Sequence, residues 1–233
     1  MIFPLDNHFV SNNSSSDSSS SSKEVSITEE SVFSKLTYAA LGDSITHGTY
    51  LATPYPYLVG NILGTKKVYN YGINASTITK TINGKDSYHN PMVLRYMDMV
   101  DNADIISIMG GINDWIFYHD NIFGTIDSTE ITTLYGALKI MCQGLKEKYP
   151  NSFIFFMTPL NSTLEKPWSK TPEDVGVVIK EVCVTYDIPV LDLYGENAFD
   201  PDIHSSDQLH PNQEFMNSYL APRIAEFILE NYK

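Results

Sequence analysis

Five short apolar runs recur along the chain, at 37–41, 67–71, 104–109, 153–157 and 189–193, with helical signals between them. Runs of this length without polar alternation are strands covered on both faces. Strands that alternate with helices pair in parallel, because a right-handed crossover must carry each strand back to its starting edge. The intervening segments fit that pattern. The stretch 54–63 follows the first run, and 91–100 precedes the third. The stretch 129–149 sets Leu134, Leu138, Met141, Cys142 and Leu145 along one face, which is the stripe of a half-buried helix. Thr171-Pro172-Glu173-Asp174 is a helix start, with a cap, proline at the first helical position and acids in the first turn. That helix is expected to run to about Tyr186, and a last helix from Asn212 or Gln213 towards Tyr232. The fold class is therefore α/β, a parallel sheet with helices on both faces.

Residues 11–22 read SNNSSSDSSSSS. A serine tract buries no apolar area and behaves as a flexible tether. The chain is expected to divide into a disordered N-terminal segment, 1–34, and one folded domain, 35–233. The formal net charge of −13 repels phosphate, so neither nucleic acid nor an anionic membrane is an expected partner. No apolar run approaches the roughly 18 residues of a membrane span. Met1-Ile2-Phe3-Pro4-Leu5-Asp6 lacks the basic and apolar regions of a secretory signal. Cys142 and Cys183, far apart in sequence, are expected to be buried free thiols.

The first apolar run ends in Gly42-Asp43-Ser44. This turn brings the Ser44 hydroxyl to the C-terminal edge of the sheet, where open α/β folds bind ligands. The serine could equally be a helix N-cap. Three further stretches bear on the choice: Asn70-Tyr71-Gly72-Ile73-Asn74, Gly110-Gly111-Ile112-Asn113-Asp114 and Asp207-Gln208-Leu209-His210-Pro211. Acyl transfer needs an activated hydroxyl, a base, a group that orients the base, and donors for the oxyanion. Ser44 would be the nucleophile, His210 the base and Asp207 its orienting acid. The Ser44 and Gly72 backbone amides and the Asn113 side chain would bind the oxyanion. Taken singly, Gly72 could be a turn glycine, Asn113 an Asx-turn and His210 a solvated loop residue. His204, Asp207 and His210 recur every three residues, a spacing zinc sites use. Pro201 and Pro211 argue against a continuous helix there, so no metal is expected. Tyr50, Tyr55, Tyr57, Trp115, Tyr118, His119 and Trp168 fall near the strand C-termini, with Trp115 the expected substrate contact. His47 is a further rim candidate.

These four blocks, in this order over about residues 36 to 230, resemble the SGNH hydrolases, also called the GDSL esterase/lipase family. Gly42-Asp43-Ser44 is similar to the first block and Gly72 to the second. Gly111-Ile112-Asn113-Asp114 is similar to the third, and Asp207-Gln208-Leu209-His210-Pro211 to the last. The resemblance implies a flavodoxin-like three-layer sandwich with a five-stranded parallel sheet. It implies Ser44, Asp207 and His210 as a catalytic triad, and Ser44, Gly72 and Asn113 as the oxyanion hole. Asp43 and Asp114 match positions that brace loops. Two departures stand out: Ile45 replaces a common leucine, and Asn74-Ala75 replaces the usual Ser-Gly. The expected activity is hydrolysis of a short-chain ester, such as an acetyl ester, of a carbohydrate or small molecule, with no cofactor. An acyltransferase on the same triad is one alternative. Another is a carbohydrate-binding or structural module like those appended to phage tails. The expected location is accordingly cytoplasmic or virion-associated.

Overall fold

A computed structural model describes residues 32–80, 89–118 and 122–233, with only the backbone of Tyr118. The serine tract and His119 lie outside the described residues. Val32–Lys35 form a 3-10 turn, and Phe33 packs on Tyr232 with ring centroids 5.4 Å apart.

Five strands, β1 Thr37–Gly42, β2 Lys67–Gly72, β3 Ile105–Met109, β4 Phe153–Met157 and β5 Val190–Leu191, form one sheet in the order β2-β1-β3-β4-β5. Every pairing is parallel. The apolar runs are unbroken because both faces are covered. Ala39, Leu41, Ile106, Ile108 and Phe156 belong to one core, while Tyr38, Ala40, Ile105, Met109 and Phe155 belong to the other.

The helices are α1 Ser44–His47, α2 Tyr55–Leu63, α3 Met92–Arg95, α4 Ile112–Tyr118, α5 Leu134–Lys148, α6 Pro172–Thr185, α7 Leu193–Glu196 and α8 Pro201–His204. Last comes α9, built from Gln213–Phe215, a π-turn at Met216–Leu220, and Ala221–Asn231. Among the described residues, no helix is long and apolar enough to cross a membrane.

Several boundaries differ from the sequence expectation, each for a local reason. The helix expected from 129 begins at Leu134, because the Thr133 side chain caps it by accepting the Gly136 N–H. The fifth strand is only Val190–Leu191, because Asp192 instead caps α7 through the Gly195 N–H. The loop expected over 110–128 contains α4, entered through Gly111 at a left-handed φ of 98°. Cys142 and Cys183 are free and buried as expected. They nevertheless meet across α5 and α6, and the hydrogen bond that the Cys183 thiol makes to Cys142, together with burial, holds that thiol far above the usual range.

Two features position the rim of the sheet. Gly42 pairs in register with both Gly72 and Met109, so three chains leave the sheet at one level. This is the point where strand order reverses, and α/β folds place their crevice there. A side chain at Gly42 would overlap Thr46, and one at Gly72 would overlap the His47 backbone. Both glycines are needed so that α1 can tuck against the strand ends. Arg95 then ties the rim together. Its guanidinium donates to the carbonyls of Gly42 (2.7 Å), Tyr71 (2.7 Å) and Asn90 (3.0 Å) and to Ser76 Oγ (2.9 Å).

Asp43, not Ser44, is the N-cap of α1. It accepts the Ile45 N–H at 2.9 Å, which overturns the capping alternative for Ser44. Asp43 Oδ2 has no hydrogen-bond partner among the described residues. Burial first, and then nearby Asp114, lift the carboxyl to about 7 against the opposing Ile45 amide and Arg95.

Two predictions follow from this brace. The folded Asp43 binds its proton more tightly than the unfolded one, so stability falls as pH rises from about 4 through about 7. Between pH 5 and 7.5, Asp43→Asn should lose less stability in urea unfolding than wild type, by on the order of 2–3 kcal/mol. Equal pH slopes would refute the excess proton. Arg95→Met strands carbonyls and should cost about 2–4 kcal/mol in the same assay, with Arg95→Lys in between, since one ammonium cannot span four acceptors.

Candidate active site

Ser44 occupies the first helical position of α1, so its backbone N–H has no acceptor within the helix. The residue is 6% exposed, and its Oγ lies 2.8 Å from His210 Nε2. The imidazole comes from the far end of the chain, on the loop between α8 and α9. A bridge between Ser205 and Pro211 pinches this loop, and Gln208 turns it with a left-handed φ of 65°.

The loop folds around one carboxylate. Asp207 Oδ1 accepts the His210 N–H (2.8 Å), the Leu209 N–H (3.1 Å) and the Ser205 hydroxyl (3.0 Å). Asp207 Oδ2 is 2.6 Å from His210 Nδ1. Burial opposes the charge, but the bonds from His210 and Ser205 outweigh it and draw the carboxyl down to about 2. A carboxylate accepts only, so the imidazole proton is held on Nδ1 and Nε2 is left free to accept from Ser44.

Asn113, 4% exposed, stands in the first turn of α4. One of its amide protons goes to the Ser76 carbonyl at 3.0 Å, and the second remains for a ligand. Its neighbour Asp114 fixes the same loop by accepting from Ile78 N (2.8 Å), Thr79 N (2.9 Å) and Thr79 Oγ1 (2.7 Å). Asp114 is the loop brace that its position suggests, and burial raises its carboxyl to about 6 against these bonds.

Two sequence expectations need correction. The Gly72 N–H donates to Asn70 Oδ1 at 2.8 Å, so it is engaged within the chain and unavailable to an oxyanion. The glycine is required by packing against α1. Trp115 is 4% exposed, and its indole N–H donates to the Lys170 carbonyl at 2.7 Å. It is a core residue and touches no open crevice.

Other aromatic candidates divide clearly. Tyr55 is fully buried and shares a hydrogen bond with Thr46 at 3.1 Å. His204 accepts the Asp200 N–H at 3.0 Å and packs on Phe199 and Phe215. His47 lies beside the Gly72 carbonyl at 3.3 Å. Tyr50 is the aromatic at the site: its ring stands edge-on to His210 at 5.6 Å. Its place two residues beyond Gly48, in the turn that follows Ser44, is the signal that would have ranked it above Trp115.

Ala75 was also missed. It carries a left-handed φ of 59° in the turn closed by Ser76 N to the Ile73 carbonyl at 3.1 Å. Its own N–H donates to no group among the described residues. The sequence signal was an alanine standing where the resemblance places the glycine of Ser-Gly.

The fold has known counterparts. A protein from Lactobacillus plantarum is 26% identical, with a TM-score of 0.75, over 85% of this chain and 99% of that one. A possible lipase from Chitinophaga pinensis is 20% identical, with a TM-score of 0.65, over 84% and 98%. A variant of an acetyl-xylooligosaccharide esterase from Geobacillus is 23% identical, with a TM-score of 0.57, over 86% and 95%. The last two share the fold. No relative was found among curated proteins. The profile of the GDSL-like lipase/acylhydrolase family matches residues 40–216. That span holds Ser44, Asn113, Asp207 and His210 together with β2 to β5 and the end of β1, and the chain belongs to this family of ester hydrolases.

Proposed function

We propose that this protein is a serine esterase that removes a short acyl group, acetyl foremost, from a carbohydrate or other small alcohol. The observation that carries this reading is the unbroken line of hydrogen bonds from Ser44 Oγ through His210 to Asp207, at 2.8 and 2.6 Å.

In this reading Ser44 Oγ attacks the ester carbonyl while His210 Nε2 takes its proton. Asp207 holds the ring and stabilises the imidazolium. The oxyanion receives the Ser44 N–H and the second Asn113 amide proton. The third donor is the Ala75 N–H, which takes the role the sequence suggested for Gly72. The imidazolium then protonates the leaving alcohol. Water repeats the sequence on the acyl-enzyme and frees the acid. The small acyl group is supported by the enclosure of Ser44, and a sugar alcohol by the acetyl-xylooligosaccharide esterase among the structural relatives. All the groups needed come from this chain and water.

Ser44→Ala should abolish hydrolysis of p-nitrophenyl acetate. Asp207→Asn should lower kcat about 10³–10⁴-fold, by loss of the imidazole tautomer. Asn113→Ala should lower it about 10²–10³-fold. Across p-nitrophenyl esters from acetyl to dodecanoyl, kcat/KM should be highest for the shortest. Equal rates for wild type and Ser44→Ala would end the esterase reading, and a long-chain optimum would end the short-acyl part.

A further inference from the structure

Tyr50 is the most exposed large hydrophobic residue among those described, at 82%. It also has a left-handed backbone, with φ at 67°. A bulky residue seldom adopts that conformation, because its Cβ crowds the backbone. Neither packing nor backbone preference accounts for a tyrosine here. Strain of this kind persists where neighbouring residues hold it, and it gathers at ligand sites.

The neighbours do hold it. The Thr49 N–H donates to the Ser44 carbonyl at 3.1 Å, and the Leu51 N–H to the Gly48 carbonyl at 3.0 Å. Leu51 packs against the core beneath. The Thr49 hydroxyl reaches across to Asn74 Oδ1 at 2.7 Å. That bond links the turn carrying Tyr50 to the turn carrying Ala75. The backbone of the turn after the nucleophile is thus held, and it sets the ring edge-on to the imidazole of His210 at 5.6 Å.

The position selects one half of an ester. Asn113 and Ala75 gather on the side that receives the carbonyl oxygen. His210 is the group that returns a proton to the leaving alcohol. A ring beside His210 therefore borders the alcohol half. An open aromatic face stacks on the C–H face of a sugar ring or on an aryl ring, and gives little to a short acyclic alcohol. Thr49 and Asn74, at the same rim, are groups that hydrogen-bond hydroxyls.

We propose that Tyr50 is the platform for the alcohol half of the substrate, and that it selects acetates of ring-shaped alcohols, pyranosides foremost. This rests on the serine-esterase reading above.

The test compares kcat/KM for a mono-acetylated methyl pyranoside with that for ethyl acetate. Wild type, Tyr50→Asn, Tyr50→Phe and Ser44→Ala are measured side by side. Asparagine tolerates the left-handed backbone, so Tyr50→Asn removes the ring and keeps the turn; Tyr50→Gly repeats the comparison should that variant not fold. The pyranoside-to-ethyl ratio should fall about fivefold or more in Tyr50→Asn, mainly through KM, and stay within about twofold in Tyr50→Phe. An unchanged ratio in Tyr50→Asn, including an equal loss on both esters, would overturn the platform and leave only a brace for His210. If wild type shows no Ser44-dependent hydrolysis of either ester, the esterase reading itself fails and the platform with it.

Discussion

The carboxylate of Asp207 is the interaction on which the candidate site depends. The segment that carries His210 has no helix or strand to shape it, and one anion takes the place of a core. It accepts two backbone N–H groups, one hydroxyl and the imidazole. Hydrogen bonds to a charged acceptor are roughly twice as strong as neutral ones, so a short loop can be held without burying apolar area. The same charge sets the imidazole tautomer. Folding the loop and preparing the base are one physical event.

On the other side of the crevice a cation does the corresponding work. Arg95 gathers the Gly42 carbonyl at the end of β1, the Tyr71 carbonyl near the end of β2 and the hydroxyl of Ser76. Asp114 clamps the following residues, Ile78 and Thr79. Both groups are partly or wholly removed from water, and both spend most of their hydrogen bonds on backbone. Between them lies Ala75, in the left-handed conformation that glycine adopts without strain.

The architecture was legible because it rests on repetition. Five short runs set the sheet, and the two cores show that β1, β3 and β4 are buried on both faces while the edge strand β2 is only half-buried. The positions of Ser44, Asp207 and His210 were legible because the chemistry demands those residue types at strand or loop ends. What could not be read was set by contacts between distant residues. Gly72 reads as a donor until the Asn70 carboxamide is seen to take its N–H and α1 to fill the space where its side chain would be. Trp115 reads as a surface aromatic until α4, unexpected in a segment beginning with two glycines, turns it into the core. The reach of Arg95 to four acceptors leaves no local mark on the sequence at all.

Ser44 and His210 stand 166 positions apart. The hydroxyl follows β1 at the start of α1, while the imidazole is held on the loop before α9. A chain cut before Ser205 still contains all five strands yet possesses no base. Its serine is then an ordinary alcohol, harmless to every ester around it, and reactivity is conferred only when the loop carrying His210 docks against α1.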